Sequence, residues 1–318
     1  MGKKITALNL RNKEERKKTR TVPLKNLIIQ ASTEKRYRDA LTAYFKWMAK
    51  NSLDFPEEMA DFDLMLSDYI CEAWEDGEGR SLISNLLAGA QHFAPQVKRQ
   101  IPGAWRLLNA WQRNETPARA TPLTLEQVQA FSGYFLRNHK PHMAVGVMLA
   151  FHCLLRPGEL VKLHASDFHL EGKVGVVNLG LTKSGLRQGA AESVTITDST
   201  VLSMLRAWHL HASPGDPLLP AGPLDFRKQF QGVVAAFHLE GQLFKPYSLR
   251  RGGATHHFRC VGTLSQTCVR GRWSAEKTAR IYINDGLATL AEFRQEKRTH
   301  AQIAKHLDIF FRLTKLSA

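Results

Sequence analysis

The sequence has little cysteine, and none of it is arranged for chemistry. Cys71, Cys153, Cys260 and Cys268 are scattered, and no two form a Cys-x-x-Cys pair. Neither a disulfide framework nor a zinc motif is visible. Cys153 lies in an apolar run and reads as a buried reduced thiol, which fits a cytosolic or nuclear compartment. His256, His257 and Cys260 are near one another but lack a second cluster at ligand spacing, so neither a metal nor a cofactor is expected. Long apolar runs are missing too. None approaches the roughly 20 residues that span a bilayer, so no membrane partner is expected. The N-terminus has no apolar stretch of the kind a secretory signal needs. There is no internal repeat. Acidic residues are the scarcest class relative to their counterpart: 29 Asp and Glu face 44 Lys and Arg, a formal net charge of +15. That excess favours a polyanion, nucleic acid ahead of an anionic membrane surface. A basic protein without such a partner is the plainer reading.

What is present is a globular chain. Its 318 residues, 43% hydrophobic and 23% charged, suit about two domains. Residues 1–30 are basic (Lys3, Lys4, Arg11, Lys13, Arg16, Lys17, Lys18, Arg20) and read as a flexible arm, either touching phosphates, serving as a nuclear address or simply solvated. Residues 31–112 carry four amphipathic patterns. Tyr37, Leu41, Tyr44, Phe45 and Met48 mark the first, and Phe62, Met65, Leu66, Tyr69 and Ile70 the second. Leu82, Ile83, Leu86, Leu87 and Phe93 mark the third; Trp105, Leu108 and Trp111, after Pro102, mark the fourth. They predict a small helical domain. Lys98, Arg99 and Arg106 either face DNA or form an ordinary solvated face. Residues 113–123 are polar and Pro-containing, a linker.

Residues 124–285 read as a second, α+β domain. Thr124 and Gln127 have capping-box spacing, and Thr263 with Gln266 repeats it. The run Met143–Leu155 predicts a buried helix that delivers Arg156. Residues 173–179 and 192–197, rich in Val, Ile and Thr, predict a hairpin. Helices are expected over 198–211, 224–238, 247–260 and 264–271, and Ser274 is a plausible cap for a further one carrying Tyr282. Residues 286–318 end in a helix whose face bears Ile303, Leu307, Phe310 and Phe311. That face either docks on a neighbouring protomer or folds back on its own domain.

Several polar residues gain meaning as an ordered set. Arg156 follows an apolar run in LLRPGEL, where a guanidinium is costly to bury unless an anion meets it, and Glu159 is close enough to do so. Lys183 sits in LTKSG at the hairpin tip. Tyr247 and Arg250, in YSLRRGGAT, share a helical face. Trp273 and Tyr282 follow in GRWSAEKTARIYIND. Singly, each has a plainer role as a cap, a solvated lysine or a core aromatic. Together, over about residues 121–285, they resemble the tyrosine recombinase (phage-integrase) family, with wording most like its eukaryotic mobile-element members. The resemblance implies a mainly α fold with a small β-hairpin or sheet, a helical core-binding domain preceding a catalytic one. It implies double-stranded DNA as partner, self-association as a tetramer on DNA, and a nuclear location in a eukaryote or a cytoplasmic, nucleoid one otherwise.

The same resemblance implies the roles. Arg156 and Arg250 clamp a phosphate, Glu159 orients an arginine, and Lys183 protonates the leaving 5′-oxygen. Trp273 packs on the site and offers its indole N–H. Tyr282 is the nucleophile of a 3′-phosphotyrosyl intermediate. Tyr247 stands where the family has histidine. A phenol of pKa about 10 is a poor general base near neutrality. Three readings follow: an active recombinase or integrase, a domesticated DNA-binding protein that retains the fold, and a type IB topoisomerase-like relaxing enzyme, against which the compact helical domain argues. His256 or His257 would be the substitute base if either approached the site.

Overall fold

The computed structural model describes residue 17 and residues 20–182, 185 and 189–315, the side chains of Asp285 and Lys315 apart. Most of the basic arm, Lys3 to Arg16 and Lys18, lies outside the described residues, as does Lys183. The chain divides between Ala118 and Arg119 into two units.

The first unit is four helices: α1 (Ala31–Lys50), α2 (Met59–Glu75), α3 (Arg80–Phe93) and α4 (Pro102–Asn114). Their apolar faces meet in one core, with Tyr44, Leu66, Ile83, Leu86, Leu87 and Leu108 inside. Tyr44 packs edge-on against Tyr69, ring centroids 5.3 Å apart, a geometry that aromatic quadrupoles favour. The start of α4 is held by its neighbour. Asp63 on α2 accepts the backbone N–H groups of Gly103 and Ala104, both at 2.8 Å, satisfying donors that a helix start leaves open.

The second unit is built on α5 (Leu125–Arg137) and α6 (Pro141–His152), followed by the short α7 (Pro157–Leu160). The Thr124 capping box forms: Gln127 N–H donates to Thr124 Oγ1 at 3.2 Å, and Thr124 N–H to Gln127 Oε1 at 2.9 Å. Three strands follow, β1 (Phe168–Glu171), β2 (Val174–Gly180) and β3 (Glu192–Ile196), as an antiparallel sheet in sequence order. Phe168 pairs with Val177, and Val177 with Val194, so one face of the sheet enters the core. The chain continues through α8 (Ser199–His209), α9 (Gly222–Ala236), α10 (Tyr247–Val261), α11 (Leu264–Gly271), α12 (Glu276–Tyr282), α13 (Asp285–Phe293) and α14 (Lys297–Lys315). No helix among the described residues is long and apolar enough to cross a membrane.

Several expectations are corrected. The expected hairpin forms as β2 and β3, and β1 joins it as a third strand that the four residues Phe168–Glu171 are too short and too polar to announce. The Thr263 box does not form: the Thr263 hydroxyl donates to Gln266 Oε1 at 2.6 Å and caps no amide. Ala275, not Ser274, occupies the cap position of α12. Of the two readings of the α14 face, folding back describes most of it. Ile303 and Phe310 are buried in their own unit's core, with Leu307 packed against it. Gly133 permits this, since a β-carbon there would lie 2.1 Å from the His306 carbonyl oxygen. Phe311 alone of the four stays half-exposed.

Candidate active site

Helix α6 ends at His152, and Leu154 takes φ 50°, a left-handed turn that redirects the chain. Arg156 then leaves extended, and Pro157 opens α7 at its first position. Glu159 folds back on this turn. Its carboxylate accepts the Arg156 backbone N–H at 2.8 Å and pairs with Arg156 Nη1 at 2.5 Å.

Helix α10 presses against that turn, and two glycines let it. A β-carbon at Gly252 would sit 2.0 Å from the Leu123 carbonyl oxygen, and one at Gly253 2.0 Å from that of Phe151. Either contact is far inside van der Waals range. The close approach carries Arg250 into the interior, where it is fully buried. Its guanidinium donates to the carbonyls of Leu154 and of Gly271, the latter at 2.7 Å. It also lies 3.9 Å from Glu159 Oε2.

Two rings cover Arg250. Its guanidinium carbon is 4.8 Å from the Trp273 ring centroid and 5.2 Å from that of Tyr282. Trp273 and Tyr282 stack with ring centroids 4.8 Å apart, and Tyr247 lies nearly parallel to Tyr282 at 6.4 Å. The chain around Tyr282 is tied to α10 on both sides. Arg251 Nη1 donates to the Ile281 carbonyl at 2.7 Å, and the Asn284 N–H donates to Thr255 Oγ1 at 3.2 Å. Thus Arg156, Glu159, Tyr247, Arg250, Trp273 and Tyr282 meet in one cluster.

Two further members escape sequence reasoning. Arg272 pairs with Glu159 Oε2 at 2.6 Å and with Glu192 Oε2 at 3.2 Å. Nothing in the sequence singles out Arg272 beyond its place beside Trp273, and Glu192 reads as an ordinary strand start. Three guanidinium groups (Arg156, Arg250, Arg272) therefore face two carboxylates, leaving the cluster net positive. The electrostatics agree. Burial first, then the neighbouring Arg156 and Arg272, push Arg250 down to about 10. An anion among these groups would relieve that repulsion. The Arg250 Nε and the Trp273 indole N–H are buried with no hydrogen-bond partner among the described residues, open donors of the kind such an anion satisfies. Burial raises the Tyr247 phenol, and adjacent Tyr282 raises it further against the opposite pull of Arg250 and Arg156. The shift favours the protonated phenol at Tyr247.

The histidines do not substitute. His256 packs on Phe151 with centroids 5.5 Å apart, and His257 Nδ1 lies 3.1 Å from Thr267 Oγ1. Both line a separate cavity of about 210 Å³ with His152, Cys260 and Arg270.

No family model matches the sequence, and no curated protein is similar to it. Solved structures are. A lambda integrase dimer bound to a COC′ core site superposes with a TM-score of 0.55 at 12% identity, covering 82% of this chain and 74% of that one. The Tn1549 transposon integrase in complex with transposon right end DNA gives 0.54 at 13% identity, covering 84% of this chain and 94% of that one. The same integrase with circular intermediate DNA gives 0.51 at 15%, covering 73% and 85%. The chain has the fold of the tyrosine recombinases and integrases.

Proposed function

We propose that this protein is a site-specific DNA recombinase or integrase that breaks and rejoins strands through Tyr282. The observation that carries the reading is the placement of the Tyr282 ring against the buried Arg250, with Arg156 held alongside by Glu159. A phenol beside a net-positive, anion-ready cluster is suited to attack on a phosphodiester.

In this reading Arg156 and Arg250 bind the non-bridging oxygens and stabilise the charge of the five-coordinate phosphorus. One preorganised donor of this kind is typically worth about 10²–10³ in rate. The Tyr282 oxygen forms a bond to phosphorus as the bond to the 5′-oxygen breaks. The phenolic proton passes to solvent, and Lys183 supplies a proton to the departing 5′-oxygen, which leaves as a hydroxyl. The 3′-phosphotyrosyl ester conserves the bond energy, so a 5′-hydroxyl from a second strand reverses the step without ATP. Tyr247 and Trp273 donate hydrogen bonds to the phosphate. Double-stranded DNA is the partner, and exchange between two sites calls for self-association on DNA, as a tetramer.

A second reading has a specific observation behind it. Tyr247 supplies no base where the resembled family has histidine, which favours a protein that binds DNA without turnover. Incubation with two duplexes bearing the recognised site separates the two. Exchanged products from wild-type protein support the recombinase; tight binding with neither adduct nor exchange supports the non-catalytic reading.

A further inference from the structure

Arg272 has no part in the phosphate clamp, yet two independent features single it out. Its backbone sits at φ 56°, ψ 44°, a left-handed conformation that favours glycine. Its side chain is buried, 7% exposed, and joins carboxylates from two different elements. Each carboxylate is also engaged elsewhere. Glu159 holds the Arg156 turn. Glu192, at the start of β3, accepts the Thr182 hydroxyl at 2.7 Å, and Thr182 Oγ1 accepts the Gly185 N–H at 3.1 Å. A continuous line of polar contacts thus runs from Thr182 through Glu192, Arg272 and Glu159 to Arg156. Burying such charges returns little net stability, because desolvation offsets the attraction. What the line does fix is distance. Thr182 directly precedes Lys183 in the chain.

We propose that Arg272 and Glu192 are a positioning pair that holds the β2–β3 connection in register with the arginine clamp. Proton donor and clamp are thereby set on the same phosphate. The inference rests on the strand-transfer reading above. Arg272 acts through its two carboxylates, Nη2 on Glu159 and Nε on Glu192. Its Nη1 is buried without a hydrogen-bond partner among the described residues, and a direct contact from it to the phosphate is the outcome that the test separates from positioning.

The test uses the full chain and two versions of a recognised duplex. One has an ordinary scissile phosphodiester, the other a sulfur in place of the bridging 5′-oxygen. In the second, the Tyr282 oxygen–phosphorus bond forms while the phosphorus–sulfur bond breaks. The sulfur departs as a thiolate, needing no proton because a thiol pKa lies near about 8.5. Glu192→Gln is isosteric, and Arg272→Gly retains the left-handed backbone. Both are expected to slow adduct formation on ordinary DNA about 10- to 100-fold, the scale of a misplaced general acid. On the sulfur duplex both should return to within about threefold of wild type, whereas Arg156→Ala should stay slow on both. Equal slowing of Glu192→Gln on the two duplexes would overturn the proposal in favour of a direct phosphate contact or a general structural role. No slowing on either would overturn it too. Should Arg272→Gly lose its melting transition, Glu192→Gln alone decides. Wild-type protein that forms no adduct on either duplex would instead sink the strand-transfer reading beneath it.

Discussion

Arg250 is fully buried, donates to two backbone carbonyls and lies beneath two aromatic rings. Arg250→Ala would leave those carbonyls unpaired, and a loss of about 2–4 kcal/mol in stability is expected by chemical denaturation. Arg156 is nearer solvent, its side chain 23% exposed. Arg156→Ala should therefore melt close to wild type while losing about 10²–10³ in the rate of adduct formation. At Tyr247 the sign of the pH effect follows from the direction of its shift. A phenol raised above its ordinary value stays protonated through neutrality, so activity should show no limb near pH 6–7. Tyr247→His should introduce one, near the ordinary imidazole value of about 6.5, with faster adduct formation above it. A wild-type profile that already falls through pH 6.5 would contradict this assignment. Six of the seven residues in the ordered set meet in one cluster, and the seventh, Lys183, lies outside the described residues. The set was legible only through its resemblance to the family's pattern, since Arg156 alone stood out as a charge after an apolar run. Arg272 was not legible. Its importance depends on a left-handed backbone and on carboxylates 113 and 80 residues away in the chain, and no local pattern encodes either.

At the scale of elements, legibility followed length and period. The four helices of the first unit and the buried α6 have apolar faces long enough to declare themselves. Strand β1, with His169 and Glu171 among its four residues, does not. Capping signals divided: the Thr124 box forms, while at Thr263 the same spacing yields a side-chain pair that leaves the helix start uncapped. The fate of α14 turned on a glycine in another helix, Gly133, which its own sequence cannot reveal. Gly133→Ala places a β-carbon 2.1 Å from the His306 carbonyl oxygen. The expected cost is about 1–3 kcal/mol by thermal melting, with faster proteolysis at α14, the typical penalty of overpacking. Unchanged protection of α14 in that variant would show that its seat is looser than described. In the first unit, Asp63→Ala removes the carboxylate that meets two N–H groups of α4 and should cost about 0.5–2 kcal/mol.

For the whole molecule, charge and chemistry make separate demands. A formal net charge of +15 predicts that affinity for duplex DNA falls steeply as salt rises, because binding releases condensed counterions. A flat salt response in equilibrium titrations would argue against a nucleic-acid partner altogether. Charge does not specify a reaction, and the fold shared with integrases hosts the reaction only where its site is intact. The central claim is that Tyr282 becomes covalently joined to DNA. The most direct measurement is to trap wild-type protein on duplex DNA with denaturant, digest both components, and identify the modified peptide by mass spectrometry. The account predicts a nucleotide on Tyr282, formed in EDTA and without ATP, and absent in Tyr282→Phe. A nucleotide on Tyr247 or on any other residue, or no adduct on DNA that the protein binds tightly, would contradict it.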